Sequence, residues 1–139
     1  MINIQLNCLV PELYVKDINR SLAFYNRLDF KILYQRESEK FAFLEHNGSQ
    51  LMLEELSKHS WLTGLTEIPF GRGINFQIRV NDINQLYEIS LQNNFQIYKS
   101  IHEKWYHVKD YLHGQKQFLV QDPDGYLIRF FQALGNKST

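Results

Sequence analysis

From Leu9 onward, apolar and polar side chains alternate: Leu9, Leu13 and Val15 take one side, and Val10, Glu12 and Tyr14 the other. A period of two predicts a strand, and Pro11 marks it as an edge. Asp17 then stands as an N-cap, and Ile18, Leu22, Tyr25 and Leu28 follow at helical spacing, which predicts one amphipathic helix. Residues 30–34 read as a strand. Residues 41–44 and 51–55 read as a hairpin turning at Asn47-Gly48, the strongest short hairpin signal. The same order returns downstream. Ile74, Phe76, Ile78 and Val80 alternate with Asn75, Gln77 and Arg79; Ile83, Leu86, Tyr87 and Leu91 form a helical face behind the cap Asp82. Residues 95–101 form a strand, and residues 118–121 and 126–131 flank the turn Asp122-Pro-Asp-Gly125.

The return is a repeat. Val15-Lys-Asp17-Ile18-Asn19 reappears as Val80-Asn-Asp82-Ile83-Asn84 after 65 positions (82 − 17), and Phe30-Lys-Ile32 reappears as Phe95-Gln-Ile97 at the same offset. Phe41, Asn47-Gly48 and Met52 are echoed by Phe118, Asp124-Gly125 and Arg129 at an offset of 77 (129 − 52). The expected architecture is therefore α+β: one domain over residues 1–139 made of two β-α-β-β-β modules. Module one covers about 8–56, a linker 57–73, module two about 74–132, and a polar tail 133–139 is expected to fray. Two segments break the symmetry. Residues 56–73 carry Trp61 and Phe70, and residues 102–115 carry Trp105, Tyr106 and three histidines; both read as long connections.

Net charge is zero, and no block of like charge supplies an electrostatic footprint for nucleic acid or an anionic membrane. Cys8 is the sole cysteine, so no disulfide can form within the chain, and no nucleophile motif surrounds it where it falls in the first strand. The first residues lack the basic and apolar stretches of a signal peptide, and no apolar run approaches the roughly 20 residues that span a bilayer. A cytoplasmic protein is expected. His102, His107 and His113 are spaced for neither a helix face nor a zinc finger, and a mobile loop with solvated histidines is the plainer reading; His46 and His59 are likewise expected in solvent.

Two β-α-β-β-β units, with Ser21-Leu-Ala-Phe-Tyr25 in the first helix and Asp122-Pro-Asp-Gly125 before the last strand, resemble the vicinal oxygen chelate superfamily. It includes glyoxalase I, extradiol dioxygenases and bleomycin-resistance proteins. Val10-Pro-Glu-Leu13, Gln50-Leu-Met-Leu-Glu54, Lys104-Trp-Tyr106 and the run from Gln117 to Phe130 most resemble the bleomycin-resistance proteins. The resemblance implies curved mixed sheets with helices outside and ligand inside, and a homodimer with strand or module exchange. It also implies non-catalytic sequestration of a bleomycin-class glycopeptide antibiotic. Metal-dependent relatives carry donors where this chain has Val10, Met52, Asn75 and Arg129. These are, in turn, no donor, a soft thioether, a weak neutral amide and a cation, so no metal and no cofactor are expected.

Sequence alone would turn the polar strand faces to solvent; the resemblance turns them inward. The candidate ligand-binding residues are then Trp105, Trp61, Tyr106, Phe41 and Phe70 as aromatic walls, with Tyr34 a weaker one. Glu12 and Glu54 are the acids for a cationic group, and Met52, Asn75, Gln77 and Arg129 complete the lining. Against this, the tryptophans could cover a core rim or a dimer contact, and the two glutamates could pair with Arg79 or Arg129. A superfamily enzyme acting on an unknown metabolite through Glu12 or Glu54, and a carrier for another aromatic metabolite, remain alternatives.

Overall fold

The computed structural model describes residues 3–139, so the N-terminal reading can be followed from Asn3, and Met1 and Ile2 lie outside the described residues. The chain divides into two compact units, Met1–Ile68 and Pro69–Thr139. The first contains β1 (Glu12–Val15), α1 (Ile18–Arg27), β2 (Lys31–Arg36), a 3-10 turn (Glu37–Glu39), β3 (Phe41–His46) and β4 (Ser49–Glu55). The second contains β5 (Asn75–Arg79), α2 (Ile83–Gln92), β6 (Gln96–Val108), β7 (Tyr111–Gln121) and β8 (Leu127–Ser138). The sheets are ordered β1-β4-β3-β2 and β5-β8-β7-β6. In each, the first strand runs parallel to the last and the other pairs are antiparallel. The α+β class and both β-α-β-β-β units are thus as the sequence pattern predicts. Among the described residues no helix is long and apolar enough to cross a membrane.

Local chemistry sets these elements. The Asp17 carboxylate accepts from the backbone N–H of Asn19 and Arg20, and Asp82 does the same for Gln85, which satisfies donors that a helix start leaves open. Asn47 and Gly48 both hold positive φ (44° and 94°), as a two-residue hairpin turn of this hand requires, and His46 pairs with Ser49 across it. Leu13, Val15, Leu51, Leu53, Ala42 and Leu44 are buried in the first unit, and Ile78, Phe118, Val120, Ile128 and Phe130 in the second. Full burial of a ring such as Phe118 or Phe130 contributes about 1.5–3 kcal/mol.

Several expectations need correction. Leu9 is 81% exposed and Ile74 58% exposed; both lie outside the strands, because β1 begins only at Glu12 and β5 at Asn75. Cys8 sits in an exposed bend rather than in the first strand. On α1, Ser21 and Phe24 join Ile18 and Tyr25 in the core while Leu22 is only half-buried; on α2, Ser90 is buried and Leu91 exposed. His46 is buried against Phe30 rather than solvated. The segment 102–115 is no loop: β6 and β7 continue as a hairpin to its tip at Lys109 and Asp110. The tail is no frayed end either, since Asn136, Lys137 and Ser138 pair with His113, Leu112 and Tyr111. Alternation was hidden there because both faces of this ribbon carry polar side chains.

At the start of α1, the Glu55 carboxylate accepts from the Ile18 N–H at 3.0 Å and from Lys40 Nζ at 3.0 Å. The backbone bond first, and the lysine second, hold this carboxyl below its ordinary range. A lowered carboxyl favours the folded state above the unfolded carboxyl's range, and the benefit fades as pH falls through the folded value. Glu55→Gln is expected to lower stability by roughly 1 kcal/mol at pH 7, with the gap to the parent closing in acid, as urea unfolding at the two pH values would report.

Candidate functional site

Each sheet sets one face on its own helix and leaves a second face of mixed character. In the first unit, strand register places Glu12 beside Met52, Tyr14 beside Glu54, Phe43 beside Met52, Phe41 beside Glu54, and Tyr34 and Arg36 beside Phe43 and Phe41. Facing side chains in register share a side of the sheet. The candidates Glu12, Met52, Glu54 and Phe41 are therefore gathered on one surface, with Tyr34. Phe43 and Arg36 belong to it as well and were missed, although the same alternation through residues 34–43 points to them.

The aromatic part is ordered. Tyr34 stacks on Phe43 with ring centroids 5.2 Å apart and planes at 15°, and meets Phe41 at 5.9 Å. The Arg36 guanidinium lies 3.8 Å over the Phe41 ring and bonds Glu39, which explains how Phe41 is buried on an otherwise polar face. Next to this wall, burial first, then the Glu54 charge and a hydrogen bond with Glu54, hold the Glu12 carboxyl above its ordinary range, while Arg36 opposes the shift. At the far end Gln50 bonds Glu45, and its amide also ties down the backbone of Gln5 and Asn7.

In the second unit the mixed face carries Asn75, Gln77 and Arg79 from β5, beside Leu127, Arg129 and Phe131 from β8. Arg129 donates to Gln77 Oε1, so those two candidates touch. Gln117 lies opposite Phe131 and His102 opposite Gln117. The Gln117 amide donates to the Tyr106 hydroxyl at 2.8 Å, the hydroxyl returns a bond at 3.1 Å, and the same amide reaches His102 Nε2 at 3.0 Å. Because His102 Nδ1 lies 2.8 Å from the Ser100 carbonyl, which can only accept, Nδ1 carries the proton and Nε2 accepts. The hydrogen-bonded chain includes the candidate Tyr106; His102, read as a solvated loop histidine, lies on β6, Gln115, read in the same connection, lies on β7, and Gln117 was missed as a site residue.

Trp105 and Phe70 stand apart from the mixed face of the second sheet, and Trp61 adjoins that of the first only through its backbone. Trp105 is paired with Gly114, so it projects from the side of β6 opposite to Tyr106, and Lys137 Nζ lies 4.0 Å over its ring. One wall cannot contain both Trp105 and Tyr106, as expected from sequence, because neighbours in a strand alternate. Trp61 is 86% exposed in the irregular segment after β4, and only its backbone N–H is engaged, by the Tyr14 hydroxyl at 3.0 Å. Phe70 is buried edge-on to Tyr126, beside a groove of about 140 Å³ lined by Ile74 and Tyr98.

A divalent metal does not fit the positions where donors would be needed. Val10 precedes β1 without a donor atom, Met52 offers a thioether, Asn75 is a neutral amide and Arg129 brings a cation already bonded to Gln77. Among the described residues no group of three or more His, Cys, Asp or Glu is placed to hold a metal ion.

Comparison with known proteins gives a consistent picture. The family described as the glyoxalase/bleomycin resistance protein/dioxygenase superfamily matches residues 5–130. The chain is 29% identical over 135 residues to proteins named bleomycin resistance protein from Geobacillus stearothermophilus and Staphylococcus aureus, covering 90% of this chain and 96% of theirs. In fold it is similar to TioX from Micromonospora sp. ML1 (TM-score 0.68, 20% identity, 91% of this chain and 98% of that one). It is also similar to a glyoxalase/bleomycin resistance protein/dioxygenase from Alicyclobacillus acidocaldarius (TM-score 0.63, 19% identity, 92% of each chain).

Two outcomes follow from this geometry. A carboxyl raised in the folded state favours folding only below the unfolded carboxyl's range and loses that benefit as pH rises through the folded value. Glu12→Gln should therefore raise the melting temperature at pH 7 and leave it unchanged near pH 3 relative to the parent, read by thermal unfolding. A Cβ added at Gly114 would meet the Trp105 ring at 2.6 Å. Gly114→Ala should displace the indole from under Lys137 and change near-ultraviolet circular dichroism, with far-ultraviolet signal retained.

Proposed function

The chain belongs to the glyoxalase/bleomycin resistance protein/dioxygenase superfamily, and from that premise we propose that it binds a bleomycin-class glycopeptide antibiotic and protects its host by sequestration in the cytoplasm, making and breaking no bond. The observation that carries the reading is the pairing, on one face of the first sheet, of the stacked Tyr34–Phe43 wall with the Glu12 and Glu54 carboxyls. A planar heteroaromatic group stacks on the half-buried Tyr34 ring, which the buried Phe43 supports from behind, gaining about 1 kcal/mol beyond the area it buries. A basic tail is drawn to the two carboxyls, where its charge opposes the burial and the Glu54 charge that hold the Glu12 carboxyl above its ordinary range. The donor-poor residues at Val10, Met52, Asn75 and Arg129 support binding over metal chemistry. The names borne by the relatives at 29% identity support the same ligand class.

We further propose that the working form is a homodimer. Leu9, Trp61, Leu62, Leu65 and Ile74 are exposed apolar side chains in the segments that flank the strands, and a second copy covering them would remove that surface from water.

Isothermal titration of the protein with metal-free bleomycin tests the function. Saturation near one ligand per chain is expected, with affinity about tenfold weaker in Glu54→Gln, equivalent to roughly 1.4 kcal/mol. Heat that never saturates would reject the ligand. Light scattering at micromolar concentration should give twice the chain mass, and a monomer would reject the dimer.

A further inference from the structure

The mixed face of the second sheet differs in charge from that of the first. We propose that it is a binding site for a small carboxylate, centred on Arg129. The inference goes beyond the antibiotic reading, because a basic glycopeptide is the wrong charge for this surface.

Register makes the case. Lys99 lies opposite Leu119, Leu119 opposite Arg129, and Arg129 opposite Gln77, so these side chains form one row across β6, β7, β8 and β5. Arg79, opposite Phe131, stands on the same face one step along. No acid of this unit shares it. Glu103 is paired with Lys116 on the reverse face, and Asp110 sits at the hairpin tip. Asp122 and Asp124 are buried in the turn before β8, where Asp122 accepts from the N–H of Asp124 and Tyr126. Asp82 and Glu88 belong to α2 and its cap. Among the described residues no carboxylate pairs with Arg79, Lys99 or Arg129.

The face also holds unanswered polar atoms. Arg129 donates through one terminal nitrogen to Gln77, but its Nε is buried and has no partner. An N–H left so keeps the full cost of its lost hydration, and a charged guanidinium more. Further along β7, Gln115 is 6% exposed and its Oε1 also lacks a partner. A carboxylate placed over Leu119 would meet the exposed terminal end of the Arg129 guanidinium and Lys99, with Arg79 adding charge; charge-assisted bonds of this kind are about twice as strong as neutral ones. A hydroxyl or amide elsewhere on the same molecule would answer Gln115. The hydrogen-bonded chain of Gln117, Tyr106 and His102 has no formal charge and adds no repulsion.

Titration with sodium benzoate, followed by proton–nitrogen NMR, tests this. Saturable shifts are expected at the Arg129 Nε–H and the side-chain amides of Gln77 and Gln117, with benzamide at least tenfold weaker. Arg129→Gln should abolish the response, Lys99→Gln should weaken it severalfold, and Lys31→Gln should leave it intact. Equal binding of benzamide and benzoate would overturn the proposal, as would benzoate shifts that persist in Arg129→Gln or are confined to scattered surface lysines. The benzamide comparison and Lys99→Gln keep the test decisive if Arg129→Gln does not fold. Bleomycin calorimetry reads a different sheet and a different charge, so either titration can fail without the other.

Discussion

In each unit the first strand is joined to the last by a parallel ladder, Glu12–Val15 on Met52–Glu55 and Asn75–Arg79 on Leu127–Phe131. Parallel neighbours cannot be linked by a tight turn, so the chain must leave the sheet, cross through a helix and return by two antiparallel strands. That single constraint sets the order of elements in both units. It also brings Glu12 next to Met52 and Gln77 next to Arg129, which are far apart in sequence. The candidate surfaces exist only because these ladders hold.

Once the ladders form, each sheet has a face committed to its helix and a face that is not. The committed faces are mostly apolar, with His46 packed on Phe30 as a polar exception. The other two have diverged, and the zero net charge of the chain conceals it. The first gathers carboxyls and a stacked aromatic pair, with its one nearby guanidinium laid over Phe41 and bonded to Glu39. The second gathers Arg79, Lys99 and Arg129 among amides, with no acid of its own unit on the same face. One repeated scaffold thus presents two surfaces of different chemical preference. Exposed positions of these faces, such as Gln77 and Arg79, can change charge with little effect on folding, whereas a change at Leu53 or Ile128 would leave a cavity.

The repeat was legible because both offsets survive in the sheets: 65 relates Glu12 to Gln77, and 77 relates their partners Met52 and Arg129. The echo of Phe41 in Phe118 misleads. Phe43 lies opposite Met52, but Leu119 lies opposite Arg129, so the third strands are related by 76 (119 − 43). The turn before β8 is one residue longer, closing through the Asp122 N–H to the Tyr126 carbonyl around three residues where the first unit uses Asn47 and Gly48. A slip of one residue exchanges the faces of a strand. Phe41 therefore joins the mixed surface, while Phe118 meets Tyr87 in the core. No comparison of letters reveals that.

By itself the sequence determined the two β-α-β-β-β units, their caps, the Asn47-Gly48 turn and the poor metal-donor set, because each rests on local spacing and on the chemistry of single side chains. Only the tertiary structure decided how far β6, β7 and β8 extend, since strand pairing between distant residues replaces the missing apolar alternation there. It alone parted Trp105 from Tyr106, buried His46, and assembled the Tyr34–Phe43–Glu12 surface and the Lys99–Arg129–Gln77 row. These depend on register across strands, and register is set by bulges and turn lengths that act over the whole sheet rather than by any neighbouring residue.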